Sequence, residues 1–189
     1  MQLNIYLISH PIIKILSNST IQNEININNK NEKKYLSLFI IYEIMRKHLY
    51  IKNIYIKQIF NLKTIYTLDS QQQNYIITNL SNTYFVLEEI NNIIPNLHII
   101  NINYLDLNNY TVEQLTKIVK NKKYRKRIIV FEFFLTNITI IEVIKVLIDN
   151  IKIKIEQLDI ACLTCNNKVL KQISQKYPKV NIYTTKIII

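Results

Sequence analysis

Residues 127–149 read RIIVFEFFLTNITIIEVIKVLID, and the fold turns on how this stretch divides. Arg127 to Phe131 is an almost unbroken apolar run, the pattern of a strand covered on both faces. From Thr139 to Asp149 the apolar residues take helical spacing, which predicts a helix burying Ile140, Ile141, Ile144, Val146 and Leu147. A buried strand feeding an amphipathic helix is the repeating unit of a parallel sheet with helices packed on it.

The same alternation continues on both sides. Towards the C-terminus, Ile160 to Leu163 reads as a strand, Asn167 to Tyr177 as a helix stopped by Pro178, and Val180 to Thr184 as the last strand. Towards the N-terminus, Tyr75 to Thr78 is a strand and Thr83 to Ile94 a helix ending before Pro95. Leu97 to Ile102 follows as a strand, and Thr111 to Lys120 as a helix opened by Thr111 and Glu113. The predicted class is α/β, with a mostly parallel, doubly wound sheet over residues 75–189.

The first 74 residues differ. Ser17 to Asn31 is polar and asparagine-rich and reads as an exposed loop. Glu32 to Leu49 is a helix expected to bury Tyr35, Leu36, Leu38, Phe39, Tyr42 and Met45. Tyr50 to Leu68 is strand-like, partly alternating, and predicts a protruding hairpin, a β-arm. There is no internal repeat, and one domain over 1–189 is expected.

Composition adds a second kind of information. The 189 residues contain no glycine, where an average chain would carry on the order of 13. Tryptophan is absent and Ala161 is the single alanine. Codons rich in G and C supply the missing residues, and A/T-rich codons supply the abundant Ile, Asn, Lys and Tyr. The composition therefore points to a very AT-rich genome: a plastid, another organelle or a reduced endosymbiont. Codon drift alone does not readily empty a nucleotide enzyme of glycine, because positive φ and close backbone approach to phosphate leave it few substitutes.

The net charge is +11. It admits nucleic acid or an acidic protein as partner, although AT-driven lysine enrichment accounts for it as well. The densest basic cluster, Lys122, Lys123, Arg125, Lys126 and Arg127, reads as a solvated loop ahead of a strand. Cys162 and Cys165 form a Cys-x-x-Cys without two further ligands at zinc spacing, and core packing is the expectation for both. His10, His48 and His98 lie far apart, so no metal site is expected. Glu43, Glu88, Glu132 and Glu142 interrupt the longest apolar runs, and no transmembrane segment is expected. No charged leader with an apolar stretch and cleavage site opens the chain, which suggests a protein made in the compartment where it works.

Four local strings, in order, resemble one family. Ile8-Ser9-His10-Pro11-Ile12-Ile13 is similar to the His-Pro-Leu/Ile-Val opening of bacterial and plastid uracil phosphoribosyltransferases. Tyr42-Glu43-Ile44-Met45-Arg46 resembles the Tyr-Glu-Ala-x-Arg of their long first helix. Ile93-Ile94-Pro95 with Leu97-His98-Ile99 resembles their Leu-Ile-Pro and the strand after it. Tyr177-Pro178-Lys179-Val180-Asn181-Ile182-Tyr183-Thr184 resembles a late His-Pro-Asp-Val-x-Ile-Tyr-Thr. The resemblance spans nearly the whole chain and, with the composition, implies a plastid-encoded protein of the red algal kind with a phosphoribosyltransferase fold.

The same resemblance locates the departures. In the family, Asp-Pro-Met-Leu-Ala-Thr-Gly-Gly-Ser holds the 5-phosphate of phosphoribosyl pyrophosphate at a helix N-terminus. Here Glu132-Phe133-Phe134-Leu135-Thr136-Asn137-Ile138-Thr139-Ile140 stands in its place. Glu132 keeps the acid, Thr136, Asn137 and Thr139 keep side-chain donors, and Ile138 replaces a glycine. A pyrophosphate loop, Leu-Arg-Ala-Gly, corresponds to Leu80-Ser81-Asn82-Thr83, without its arginine and glycine. The glycine-rich loop that reads uracil lies beyond the Ile-Tyr-Thr strand in the family, and Ile189 comes only a few residues after Tyr183.

These readings predict a degenerate, non-catalytic member: a structural or binding subunit, as a homodimer or in a plastid assembly, with no confident catalytic residue. No resident cofactor is expected. The alternatives are residual uracil phosphoribosyltransferase activity, with Mg²⁺ and phosphoribosyl pyrophosphate, and RNA-binding regulation.

Overall fold

The computed structural model describes residues 3–22, 30–94, 96–103, 112–113, 115–116, 124–136 and 139–188, with the side chains of 18–22 excluded. The first elements are β1 (Asn4–Leu7), α1 (Pro11–Gln22), α2 (Lys30–His48), β2 (Ile51–Lys57) and β3 (Leu62–Leu68). They are followed by β4 (Gln72–Thr78), α3 (Leu80–Ile93), β5 (Leu97–Asn101), β6 (Arg125–Leu135) and α4 (Thr139–Lys145). A π-helical turn at Val146–Asn150 extends α4, and the chain closes with β7 (Leu158–Asn166), α5 (Asn167–Lys176) and β8 (Asn181–Ile188).

Six strands form one sheet in the order β1-β8-β7-β6-β4-β5, and every neighbouring pair is parallel. β2 and β3 pair with each other, antiparallel, as a separate hairpin. This is the α/β sheet and β-arm that the residue pattern predicts. Along each central strand the pleat sends alternate residues to opposite faces. Ile77, Ile128, Val130, Leu158, Ile160 and Ile182 join a core closed by α4, its π turn and α5. Ile76, Ile129, Phe131, Ala161, Leu163 and Tyr183 join a second core closed by α1, α2 and α3.

Several expectations change. Ser17–Gln22 is helical, not an exposed loop, because Pro11 sits at the first position of α1 with its φ already set and His10 Nδ1 accepts the Ile12 N–H at 3.3 Å. Residues 23–29 of the expected loop lie outside the described set. In α2 the buried side is Leu36, Ser37, Ile40, Ile41, Ile44 and Met45. Tyr35, Phe39 and Tyr42, expected inside, are exposed: the isoleucine edge takes the sheet and leaves Phe39 and Tyr42 on the rim of grooves beside it. Of the helix read at Thr111 to Lys120, Val112, Glu113, Leu115 and Thr116 are described and helical, with Leu115 in the first core.

The central strands also run further than their apolar runs suggest. β6 continues through Leu135, since Phe133 packs edge-on against Phe131 at 5.6 Å and Leu135 is buried. The pairing skips Phe133, Leu163 and Thr185 on three adjacent strands, so Leu135 and Cys165 both reach the α4–α5 core. The Thr184 and Thr185 hydroxyls donate to the Leu163 carbonyl there, at 3.1 and 2.7 Å. Among the described residues positive φ occurs at Asn96 (60°) and Lys152 (63°), the chain exits of α3 and of the π turn, where glycine is the usual choice.

Candidate functional site

In a doubly wound sheet, ligands sit beyond the carboxyl ends of the strands where the winding direction reverses. Here β5 lies on one side of β4 and the chain then crosses to β6 on the other, so the reversal falls between β4 and β6. A crevice of about 520 Å³ opens there, lined by Lys30 and Lys33 of α2, Ser81 and Asn82 of α3, and Glu132, Phe133 and Phe134 of β6, with Tyr84 and Phe85. Ser81, Asn82 and Glu132, singled out in two distant parts of the sequence, therefore face one space.

The remaining candidates are distributed otherwise. Thr83 is fully buried; its hydroxyl donates to the Asn79 carbonyl at 2.8 Å and lies 3.1 Å from the Thr78 hydroxyl. It fixes the turn from β4 into α3 and does not enter the crevice. Thr136 is exposed at the end of β6 and Thr139 is half-buried at the start of α4. Asn137 and Ile138 lie outside the described residues.

The start of α3 decides what the crevice can offer an anion. A helix normally leaves its first N–H groups free, and that is what makes its N-terminus a phosphate site. In α3 the Leu80 N–H donates to Asn101 Oδ1 at 3.0 Å and the Ser81 N–H to Asn79 Oδ1 at 3.1 Å. The Asn82 and Thr83 N–H groups both reach the Asn79 carbonyl at 3.2 Å. Asn79 caps the helix from extended backbone, φ −82° and ψ 106°, as an asparagine N-cap should. The amides are satisfied within the fold.

Much of the remaining lining is aromatic. Phe133 and Phe85 approach at 5.7 Å, and Tyr84 meets Phe85 edge-on at 5.8 Å. The Lys33 ammonium stands 5.8 Å from the Phe133 ring and 5.3 Å from Phe134, so its charge lies on ring faces. Lys30 and Lys33 are not legible as site residues, because α2 reaches the crevice only through tertiary packing; Phe85 reads from its spacing as a helix position alone. Asn79 had a signal of its own: an asparagine directly before a helical run.

Elsewhere, Tyr6 and Tyr183 stack at 4.6 Å beside β1, with Lys47 Nζ 3.6 Å from the Tyr6 ring. They belong to a groove of about 660 Å³ that also includes His10, Tyr42, Glu43 and Arg46. Burial pushes the Tyr183 phenol up, with Asp159 and Tyr6 adding to the effect. Cys162 and Cys165 are buried and free. Donating a hydrogen bond to Cys165, and then burial, push the Cys162 thiol well up. Both lie fully buried in the core under α4 and α5, so the pair is a packing feature. No group of three His, Cys, Asp or Glu suited to a metal occurs among the described residues. No helix among them is long and apolar enough to cross a membrane.

No protein-family model matches the chain. The chain is 32% identical over 190 residues to the uracil phosphoribosyltransferase homolog of Pyropia yezoensis, covering 99% of this chain and 89% of that one. It is 31% identical over 192 residues to the protein of the same name from Porphyra purpurea, with the same coverage. Both organisms are red algae. The solved structure of the AQ2163 protein from Aquifex aeolicus superposes with a TM-score of 0.65 over 97% of this chain and 86% of that one, at 17% identity, and shows the same fold. With an all-parallel sheet, a β-arm and a crevice at the winding reversal already in place, the near full-length identity settles the kinship: the chain belongs to the family of the red algal uracil phosphoribosyltransferase homologs.

Proposed function

We propose that this protein is a non-catalytic member of its family, retained in a plastid as a binding or structural subunit. The observation that carries the reading is the self-satisfied start of α3. Leaving-group stabilisation needs donors free to turn to developing charge, and there the Leu80, Ser81, Asn82 and Thr83 amides are already engaged. Removing one such donor typically raises a barrier by ~2.7–4 kcal/mol. Phe133 and Phe134 support the same reading, since they line the crevice where a phosphate loop would need open backbone. Purified protein given uracil, phosphoribosyl pyrophosphate and Mg²⁺ should release no pyrophosphate above a protein-free control. Sustained uracil-dependent turnover ends the proposal.

A specific observation favours one alternative, residual uracil phosphoribosyltransferase activity. Glu132 lines the crevice together with Ser81 and Asn82, as an acid facing ribose hydroxyls would. Calorimetry with phosphoribosyl pyrophosphate and Mg²⁺ separates the two. Saturable binding abolished by Glu132→Ala supports this reading, and heat no different from buffer removes it.

The arm speaks for a protein partner. At its tip Ile59 and Phe60 are 93% and 92% exposed, and Ile51, Tyr55, Leu62 and Tyr66 are exposed along it. Apolar surface held this far out is what an assembly covers. A second copy of the chain is the simplest partner, because each copy also carries an apolar groove of about 630 Å³ between α2 and α3, reaching the arm's base at Ile51.

A further inference from the structure

The basic run at residues 122–127 reads from sequence as a solvated loop, yet its described half is built into the sheet. Arg125, Lys126 and Arg127 open β6, at the amino end of the strands and so at the opposite end from the crevice. The Arg125 N–H donates to the Gln71 carbonyl at 2.8 Å, and its guanidinium lies 5.1 Å from the Tyr50 ring. Arg127 is held from behind by Asp159 and by the Glu156 carbonyl. With His48, Tyr50, Gln72 and Gln157 these residues enclose a cavity of about 170 Å³.

The chemistry of that wall is one-sided. It carries three cationic side chains, an imidazole and two amides, and no carboxylate lines it. Two acids act from behind: Asp159 on Arg127, and Asp69, which pairs with Lys52 and feels Arg125. The Gln72 amide is fixed by bonds to the Tyr50 N–H, the His48 carbonyl and Asn74, so the scaffold is rigid. His48 Nε2 is buried without a hydrogen-bond partner, 3.7 Å from Asp159. The volume equals roughly five or six waters, enough for a tetrahedral oxyanion and not for a base and sugar.

We propose that this cavity at the amino ends of β4 and β6 binds a phosphate group, free or as the terminal phosphate of a nucleotide whose remainder lies outside. With the Arg127 fork already on Asp159 and the Glu156 carbonyl, Arg125 supplies the paired N–H groups that match oxyanion geometry, and Lys126 beside it adds a point charge. The site also answers to protons. His48 faces Arg127 from β6, Asp159 from β7 and Lys47 on its own helix, and burial first, then Arg127, hold its imidazole below its ordinary value. An anion placed beside it favours the imidazolium, so binding takes up a proton and strengthens as pH falls towards 6.

The test follows the imidazole C–H resonances of the three histidines, assigned with single His→Gln variants, during titration at constant ionic strength. The probes are inorganic phosphate, ATP and chloride. Saturable shifts at His48, with His10 and His98 unmoved and chloride without effect, are expected. Tighter ATP than phosphate identifies a nucleotide as the source, and equal affinities identify free phosphate. The folded Arg125→Gln/Lys126→Gln variant should bind roughly tenfold more weakly or worse, whereas Lys33→Gln in the crevice should bind as wild type. Should the double variant fail to fold, the wild-type pattern at the three histidines decides alone. Shifts reproduced by chloride, or equal at all three histidines, overturn the proposal. The outcome is independent of whether the crevice is catalytic.

Discussion

Asp159 is fully buried, yet it holds Arg127 on one oxygen and the Asn181 amide on the other, the latter at 3.1 Å. A buried pair adds little over a well-packed apolar one, but removing one partner strands the other. Asp159→Ala should therefore lower stability by about 3–5 kcal/mol, read as the fall in the urea midpoint at unchanged slope. His48 supplies a pH signature. Its folded pKa is depressed, so its contribution is present above the unfolded value near 6.5 and is lost as pH falls through the folded one. Between pH 8 and pH 5 the wild type should lose more stability than His48→Gln, measured by urea unfolding in chloride buffers; parallel curves refute it. Very little of this cluster is legible in sequence. Arg127 and Asp159 are 32 positions apart, and only parallel pairing of β6 with β7 makes them neighbours.

Elements were read better than their ends. The apolar runs at Ile128–Phe131 and Ile160–Leu163 locate strands, while β6 and β7 extend to Leu135 and Asn166 because Phe133 and Leu163 find tertiary partners that no local pattern announces. The inner side of α2 is hidden for a related reason: aromatic and aliphatic residues are alike in periodicity, and only the sheet selects among them. Ser81, Asn82 and Glu132 came to light through family strings, whereas Lys33 and Phe85 required the packed helices. Asn79 tests the account of the crevice at this scale. Asn79→Ala should cost about 1 kcal/mol, seen as a fall in Tm of roughly 2–4 °C, and should leave the Ser81 amide less protected from hydrogen exchange. Unchanged protection there would mean the cap is not what occupies that amide.

For the whole molecule, the sheet order follows from parallel strands joined through helices, but the direction of winding, and with it the place of the crevice, does not show in a linear pattern. The arm is legible as a protruding hairpin; which of its residues form the bare tip is not. Its exposed tip carries the prediction at this scale. Sedimentation should find the wild type as a dimer or larger, and Ile59→Ser/Phe60→Ser should shift it towards monomer while the circular dichroism and Tm stay the same. A wild type that sediments as monomer at every concentration removes the paired-copy reading.

The asparagine-held opening of α3 also bears on how this turn tolerates change. Putting an arginine at position 81 would add charge at a place where Asn79 and Asn101 still occupy the Ser81 and Leu80 N–H groups. Freeing those groups first would unpin the helix before any new partner arrived. Each change is harmful without the other, so the turn accepts substitution only in concert and resists alteration one residue at a time.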